Sequence, residues 1–390
     1  MRCFSPARSH LSVLFVRRKL SMPHQNRVTR RQLLVGVAGT SLAASGPYFH
    51  VAPARADKGE IVIAGWGGSR TTAMREVMFK PFEAATGIRV KDDGPPEAAK
   101  VKAQVDSGNI TWDILDTDIP AILTMAKNNL IDRIDYAKLD AGRLAPIPKV
   151  LHHEFGLGHL IYGFNIVYNT KTFPTGKHPQ SWADVWNGDA FKGGRSFPFR
   201  GGISPQLEVA LAADGVPIDK MYPLDVERAW KAMDRVRPLV TKWYANHGEA
   251  LQLVSRGEVD ICCTIGPRGV VAKREGAPVD VEYTGGKLAP DNWAIVKGTK
   301  NIDAVYQFLN FAIDGKVQAE LAKRIPYGPS SQDAFKHLSE VEARDLNTAP
   351  DNLKKQFWND IAWWGAVGAD GKTNIEMQTE RYAKWMVQRS

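Results

Sequence analysis

From Glu60 onward, short runs rich in β-branched and aromatic residues alternate with longer stretches whose apolar side chains recur at helical spacing. That switching of period restricts the chain to an α/β architecture. EIVIAGW (60–66) reads as a strand. From about Thr71 to Ala85, Met74, Val77, Met78 and Phe82 share one helical face, and Gly87 supplies the left-handed stop. IRVKD (88–92) is the next strand, AAKVKAQVDSG (98–108) a helix, and WDILDTD (112–118) a third strand feeding a helix opened by Ile119-Pro120. This first unit is doubly wound. The same alternation returns in YGFNIVYN (162–169, strand), SWADVWN (181–187, a short helix capped by Ser181), ISPQLEVALAADG (203–215, helix) and HGEALQLVSRGEVDICCTIG (247–266, helix then strand). NWAIVKG (292–298) is a strand, and NIDAVYQFLNFAID (301–314) a helix with Val305, Phe308, Leu309 and Ala312 inward.

The chain has 390 residues, and single cores stop growing at roughly 250–300 residues, so two domains are expected. No internal repeat or long linker separates them, so the chain must cross between two lobes on strands, more than once. The net charge of +9 points first to a nucleic-acid or lipid binder. Yet nine bases (Arg2, Arg8, Arg17, Arg18, Lys19, Arg27, Arg30, Arg31, Arg55) and no acids lie in residues 1–56, which accounts for the whole excess. A neutral body lacks the clustered basic surface that drives phosphate binding by counterion release.

Residues 1–56 read as a signal peptide: TRRQLL (29–34), a mildly apolar stretch from Leu33 to Gly46, then Ala54-Arg55-Ala56 with small residues where a signal peptidase cleaves. The apolar run is too short to span a bilayer, which takes about 20 residues. Arg30-Arg31 resembles the twin-arginine export motif, with an ordinary secretory leader as the alternative. Either route implies maturation near Asp57 and delivery to the periplasm, and the long basic region leaves Met22 open as the true start. Cys3 belongs to the leader. Cys262 and Cys263 are neighbours on one strand and point to opposite faces, so they read as buried apolar residues rather than a redox pair.

Gly65-Trp66-Gly67-Gly68-Ser69-Arg70 joins the first strand to the first helix, at the carboxyl edge where open α/β sheets bind ligands. It fits neither the phosphate-loop nor the dinucleotide fingerprint. It is either a plain tight turn or a loop whose backbone N–H groups and Trp66 face a ligand. Asp116-Thr117-Asp118 closes the third strand at the same edge, as solvated loop acids or as a carboxylate for a cationic group. His152, His153 and His159 lack metal-site spacing, and neither a nucleophile elbow nor an acid/base pair of carboxylates is evident. No metal, cofactor or catalytic residue is expected.

The ordered set WDILDTD, Tyr162-Gly163, SWADVWN, GEVDICCTIG, GVVAKREGAPVDVEY, DNWAIVKGTKN and IPYGPSS resembles the periplasmic solute-binding proteins of bacterial ABC importers, spermidine/putrescine-binding type, over residues 60–390. The resemblance implies two α/β lobes closing like a flytrap on a small solute and delivering it to a membrane permease and its ATPase, with no chemistry and no nucleic acid, as a monomer. Lobe one would hold 57–162 plus 294–328, lobe two 163–293 plus 329–390, with hinges near Gly163 and Trp293. Carried over by position, Trp66, Gly67, Asp118, Asp291, Asn292, Trp293 and Tyr327 fall in the cleft.

Two departures bear on the ligand. FPFRGGISP (197–205) puts Arg200 where the resemblance implies acids, and Arg268 stands at a position expected to be small or polar. A dication would meet uncompensated positive charge there, so the expected ligand has a carboxylate held by Arg200 and Arg268. An amine facing Asp118 or Asp291 would make it a zwitterion of the γ-aminobutyrate type. The polyamine remains the competing ligand. The rivals in function are an exported enzyme using Asp116, Asp118 and His247, and a ferric-ion binder of the same fold, for which only Tyr327 offers a phenolate. The terminal aromatic residues Trp363, Trp364, Tyr382 and Trp385 read as packing for the second lobe.

Overall fold

The computed structural model describes residues 59–174, 176–199 and 206–387; residues 1–56, read above as a signal peptide with Cys3 and Met22 in it, and Arg200 lie outside these. Eight strands form the main path of one sheet: β1 (Glu60–Ala64), β2 (Arg89–Asp93), β3 (Ile114–Thr117), β4 (Gly156–Asn169), β5 (Arg195–Pro198), β6 (Val240–Tyr244), β7 (Ile261–Ile265) and β8 (Val279–Val296). Their order is β2-β1-β3-β8-β4-β7-β5-β6. β1 runs parallel to β2 and β3 at one end, and β5 parallel to β6 and β7 at the other. Between these two parallel blocks lie β4 and β8, antiparallel to each other from Leu157–Trp293 to Asn169–Val279.

The helices are α1 (Gly68–Met74), a π turn over Arg75–Phe79, α2 (Lys80–Thr86), α3 (Ala98–Ser107), α4 (Ile119–Lys127), α5 (Trp182–Trp186), α6 (Gln206–Ala213), α7 (Val226–Val236), α8 (His247–Ser255), α9 (Gly266–Arg274), α10 (Ile302–Ala312), α11 (Gly315–Arg324), α12 (Ile361–Gly365) and α13 (Asn374–Val387), besides shorter turns. Gly87 ends α2 in the left-handed conformation at φ 81°, and the Ser181 hydroxyl accepts from the Asp184 N–H to start α5.

Two large apolar clusters divide the molecule. One gathers Ile61, Phe82, Leu160, Trp293 and Phe308 around the β1 block. The other gathers Trp182, Phe197, Trp230, Trp364, Tyr382 and Trp385 around the β5 block, so the terminal aromatics are core, as expected. Cys262 and Cys263 are buried and unbonded to each other. The expected division at 329 shifts: Ser330 and Ser331 are hydrogen-bonded to Gln318 of α11, and Leu346 and Ala349 pack on Ala322. Gly328 and Pro329 pair with Ile161 and Leu160, which leads the chain back over the first half. It joins the second cluster only at Phe357 and Ile361. Among the described residues, no helix is long and apolar enough to cross a membrane.

Candidate functional site

β1 ends where the chain must turn sharply into α1. Gly67 and Gly68 both take positive φ, 73° and 66°, a pair of conformations that side-chain-bearing residues rarely adopt. The turn leaves Trp66 47% exposed, over an open depression that it shares with Pro95, Pro96, Glu97, Asp118 and Pro120. Asp118 caps α4, its carboxylate accepting the Ala121 N–H at 3.0 Å. Trp66, Gly67 and Asp118 thus lie at the carboxyl edge of the first half.

Deeper in, the sheet register sets up a second group. Trp293 of β8 pairs with Asp116 of β3. Asp291, two residues along β8, is therefore the diagonal neighbour of Asp116 on the same face. Their side chains are only 3% and 8% exposed. Arg70, carried over that face by α1, bridges them. Its Nη2 donates to both Asp116 oxygens at 2.5 and 2.6 Å, and its Nη1 to Asp291. His159 Nε2 lies 2.9 Å from Asp116 Oδ1, and its ring stacks on Trp293 at 3.8 Å.

The electrostatics follow. Burial opposes ionisation of Asp116, but Arg70 and His159 outweigh it and hold its pKa below the usual carboxylate value. Asp291 is pushed up, by burial first, with the Asp116 charge adding to it and Arg70 only partly offsetting both. Burial would lower the Arg70 pKa, but Asp116 and Asp291 raise it overall. Tyr162 feels these same charges: burial raises its pKa, and Asp291 and Asp118 add to it.

The remaining expected residues take different positions. Trp293 has no exposed surface: it packs edge-on to Phe308 at 5.3 Å and props His159, so it stands behind the cleft wall. Asn292 points to the opposite face of β8 from Asp291 and is also buried, its amide donating to Pro290 O at 3.2 Å. Tyr327 is half-buried against the first apolar cluster. Arg268 is exposed in the first turn of α9, and Arg200 lies outside the described residues. His247 bonds Thr264 at 3.0 Å, whereas the histidine on Asp116 is His159, so the enzyme constellation of Asp116, Asp118 and His247 is not the one assembled. No group of three His, Cys, Asp or Glu that could hold a metal occurs among the described residues.

Sequence reasoning missed Arg70 and His159. Arg70 stands 46 residues from Asp116 and 221 from Asp291, and only the strand order brings them together. The available signal was local: a long basic side chain directly after a glycine turn at a strand's carboxyl edge.

A model of the family described as bacterial extracellular solute-binding protein matches residues 77–349. A gamma-aminobutyric acid-binding protein of Pseudomonas aeruginosa is 31% identical over 319 residues, 80% of this chain and 89% of that protein. An ABC transporter substrate-binding protein from Bradyrhizobium japonicum superposes with a TM-score of 0.76 at 32% identity, covering 84% of this chain and 99% of its own. A solved GABA receptor gives a TM-score of 0.74 at 26% identity, covering 85% and 98%. The two-lobe α/β architecture expected from the sequence is the one found.

Proposed function

This chain belongs to the bacterial extracellular solute-binding proteins, and we propose that, as the solute-binding component of an ABC transporter, it takes up a small zwitterion of the γ-aminobutyrate type. The observation that carries this reading is the state of the acids. Asp116 and Asp291, which could balance a second ammonium group, already share Arg70. Trp66 and Asp118 stand together at the cleft edge, where one amine would meet them. The names of the gamma-aminobutyric acid-binding relative and of the GABA receptor support the same ligand class.

In this reading the ligand's ammonium lies against Trp66 and Asp118, near the turn at Gly67, by cation–π attraction and charge. Its carboxylate is held from the second half by Arg200 and Arg268, with Tyr327 as a side wall. Asn292 and Trp293 support that wall from behind, and Asp291 lies beside Asp116 under Arg70. The protein does no chemistry on its ligand. A leader of twin-arginine type is removed near Ala56, and the monomeric mature protein works in the periplasm with an inner-membrane permease and its ATPase.

A thermal-shift panel of γ-aminobutyrate, other amino acids, dicarboxylates, putrescine and spermidine tests the reading. Ligand at about 100 times its Kd adds about 2.7 kcal/mol of apparent stability, enough to move the melting transition by several degrees. A shift with zwitterions and none with polyamines is expected. Polyamines alone shifting the transition would overturn the ligand class, and conversion of any compound would overturn the transport role.

A further inference from the structure

Two acids and one base meet on one face of the sheet, and the base belongs to the chain itself. Asp116 and Asp291 are fixed side by side by the β3–β8 register. Two buried carboxylates side by side make a receptor for an alkylammonium or guanidinium group, since they supply both the charge and the hydrogen-bond acceptors it needs. Such a receptor left empty would hold two like charges out of water, which is costly. Here it is full. The Arg70 guanidinium forks onto both oxygens of Asp116 and reaches Asp291 with its other nitrogen. Its side chain keeps 14% of its surface exposed.

We infer that Arg70 is a specificity-determining residue, a tethered cation that occupies the Asp116–Asp291 receptor and thereby shuts free di- and polyamines out of the cleft. An entering ammonium would have to displace a guanidinium that stays charged at every accessible pH and already makes three charge-assisted hydrogen bonds. The displaced Arg70 would then lose both partners. A ligand with one amine and one carboxylate needs no such exchange. The inference deepens the solute-binding reading above and rests on the cleft being the ligand site.

The test removes the tether and asks what enters. Arg70→Ala, made in the full chain, is read by calorimetric titration and thermal shift with putrescine, spermidine and guanidinium chloride, using sodium chloride at matched ionic strength as control. Putrescine or guanidinium is expected to raise its melting temperature by several degrees at millimolar concentration and to bind at least tenfold more tightly than to the wild type. Arg70→Ala/Asp291→Asn, with one carboxylate gone, is expected to lose that gain. Equal putrescine affinity in Arg70→Ala and wild type would overturn the inference, as would a gain that survives Asp291→Asn. Should Arg70→Ala not fold, Arg70→Lys is measured instead. Its single nitrogen cannot fork across both acids, so a smaller gain of the same sign is expected, and none would again overturn the inference. A wild type that ignores zwitterions beside a variant that gains putrescine would sink the zwitterion reading alone. Zwitterion binding by both proteins without any amine gain would sink only the role of Arg70.

Discussion

Lys287 and Glu208 meet at 2.7 Å with neither side chain exposed at all. Lys287 comes from crossing strand β8, Glu208 from the first turn of α6, and the Glu208 Oε1 also accepts from Tyr222 Oη at 2.8 Å and Trp364 Nε1 at 3.0 Å. Burial lowers the lysine's pKa, and Glu208 works against that. Such a pair adds little net stability over an apolar replacement, but breaking it strands a charge. Lys287→Met is therefore expected to cost about 3–5 kcal/mol in urea unfolding followed by tryptophan fluorescence, and Lys287→Met/Glu208→Gln to regain most of it. A single variant within about 1 kcal/mol of the wild type would mean that Glu208 is neutral or solvated there. Pairs of this kind explain what the sequence hid at this scale. Trp66, Gly67 and Asp118 were legible because a glycine turn and a strand end mark themselves locally. Arg70 with Asp291, and Glu208 with Lys287, lie 221 and 79 residues apart, and no local pattern marks either partner.

Elements whose ends carry chemical punctuation were readable nearly to the residue: Gly87 stops α2, Ser181 starts α5, and Gly108 follows α3. The crossing strands were not. β4 begins at Gly156 and β8 at Val279, well before the 162–169 and 292–298 segments read as strands, because Gly158, Gly285 and Gly286 interrupt the β-rich pattern, as Gly163 does within 162–169. Those glycines are needed for close approach: a Cβ at Gly163 would sit 2.6 Å from Asn165 Oδ1, and one at Gly286 2.3 Å from Asn165 Nδ2.

At the start of α13 a local motif makes a non-local contact. Glu376 accepts from the Thr373 N–H at 2.7 Å and its hydroxyl at 2.9 Å, and from Lys127 of α4 at 3.0 Å. The Thr373 N–H, then Lys127, then the Thr373 hydroxyl draw the Glu376 pKa down to about 2 from 4.5. A carboxylate with a depressed folded pKa stabilises the fold above its unfolded pKa, and loses that effect as pH falls through the folded one. The difference in urea midpoint between wild type and Glu376→Gln should thus stay constant above about pH 5 and shrink as pH falls from about 4.5 towards 2. A gap that instead widens on acidification would exclude this cap as an ionised one.

The lobes share more than a hinge. β4 and β8 run through both, their pairing shifting register between Glu282 and Lys287 and between Asp291 and Asn292, Ile119 and Ala289 belong to the second apolar cluster, and Gln356 ties Asn165 of β4 to the Asn347 carbonyl, while Asn347 donates to Ile161 O. The described residues, 59–174, 176–199 and 206–387, accordingly fall within one compact unit. Neither lobe can unfold without exposing strands that the other needs, so the mature protein should melt as one cooperative transition despite a length at which two cores are usual. At about 0.7 kcal/mol per residue near 60 °C, a unit of this size absorbs roughly 230 kcal/mol. Scanning calorimetry should give a van't Hoff enthalpy close to the calorimetric one, and a ligand touching both lobes should move the whole peak. Closure depends on the same condition, since only differential affinity for the closed arrangement can shift its population. Two resolved peaks, with ligand moving one and leaving the other in place, would instead describe lobes that fold separately and a solute held by a single lobe.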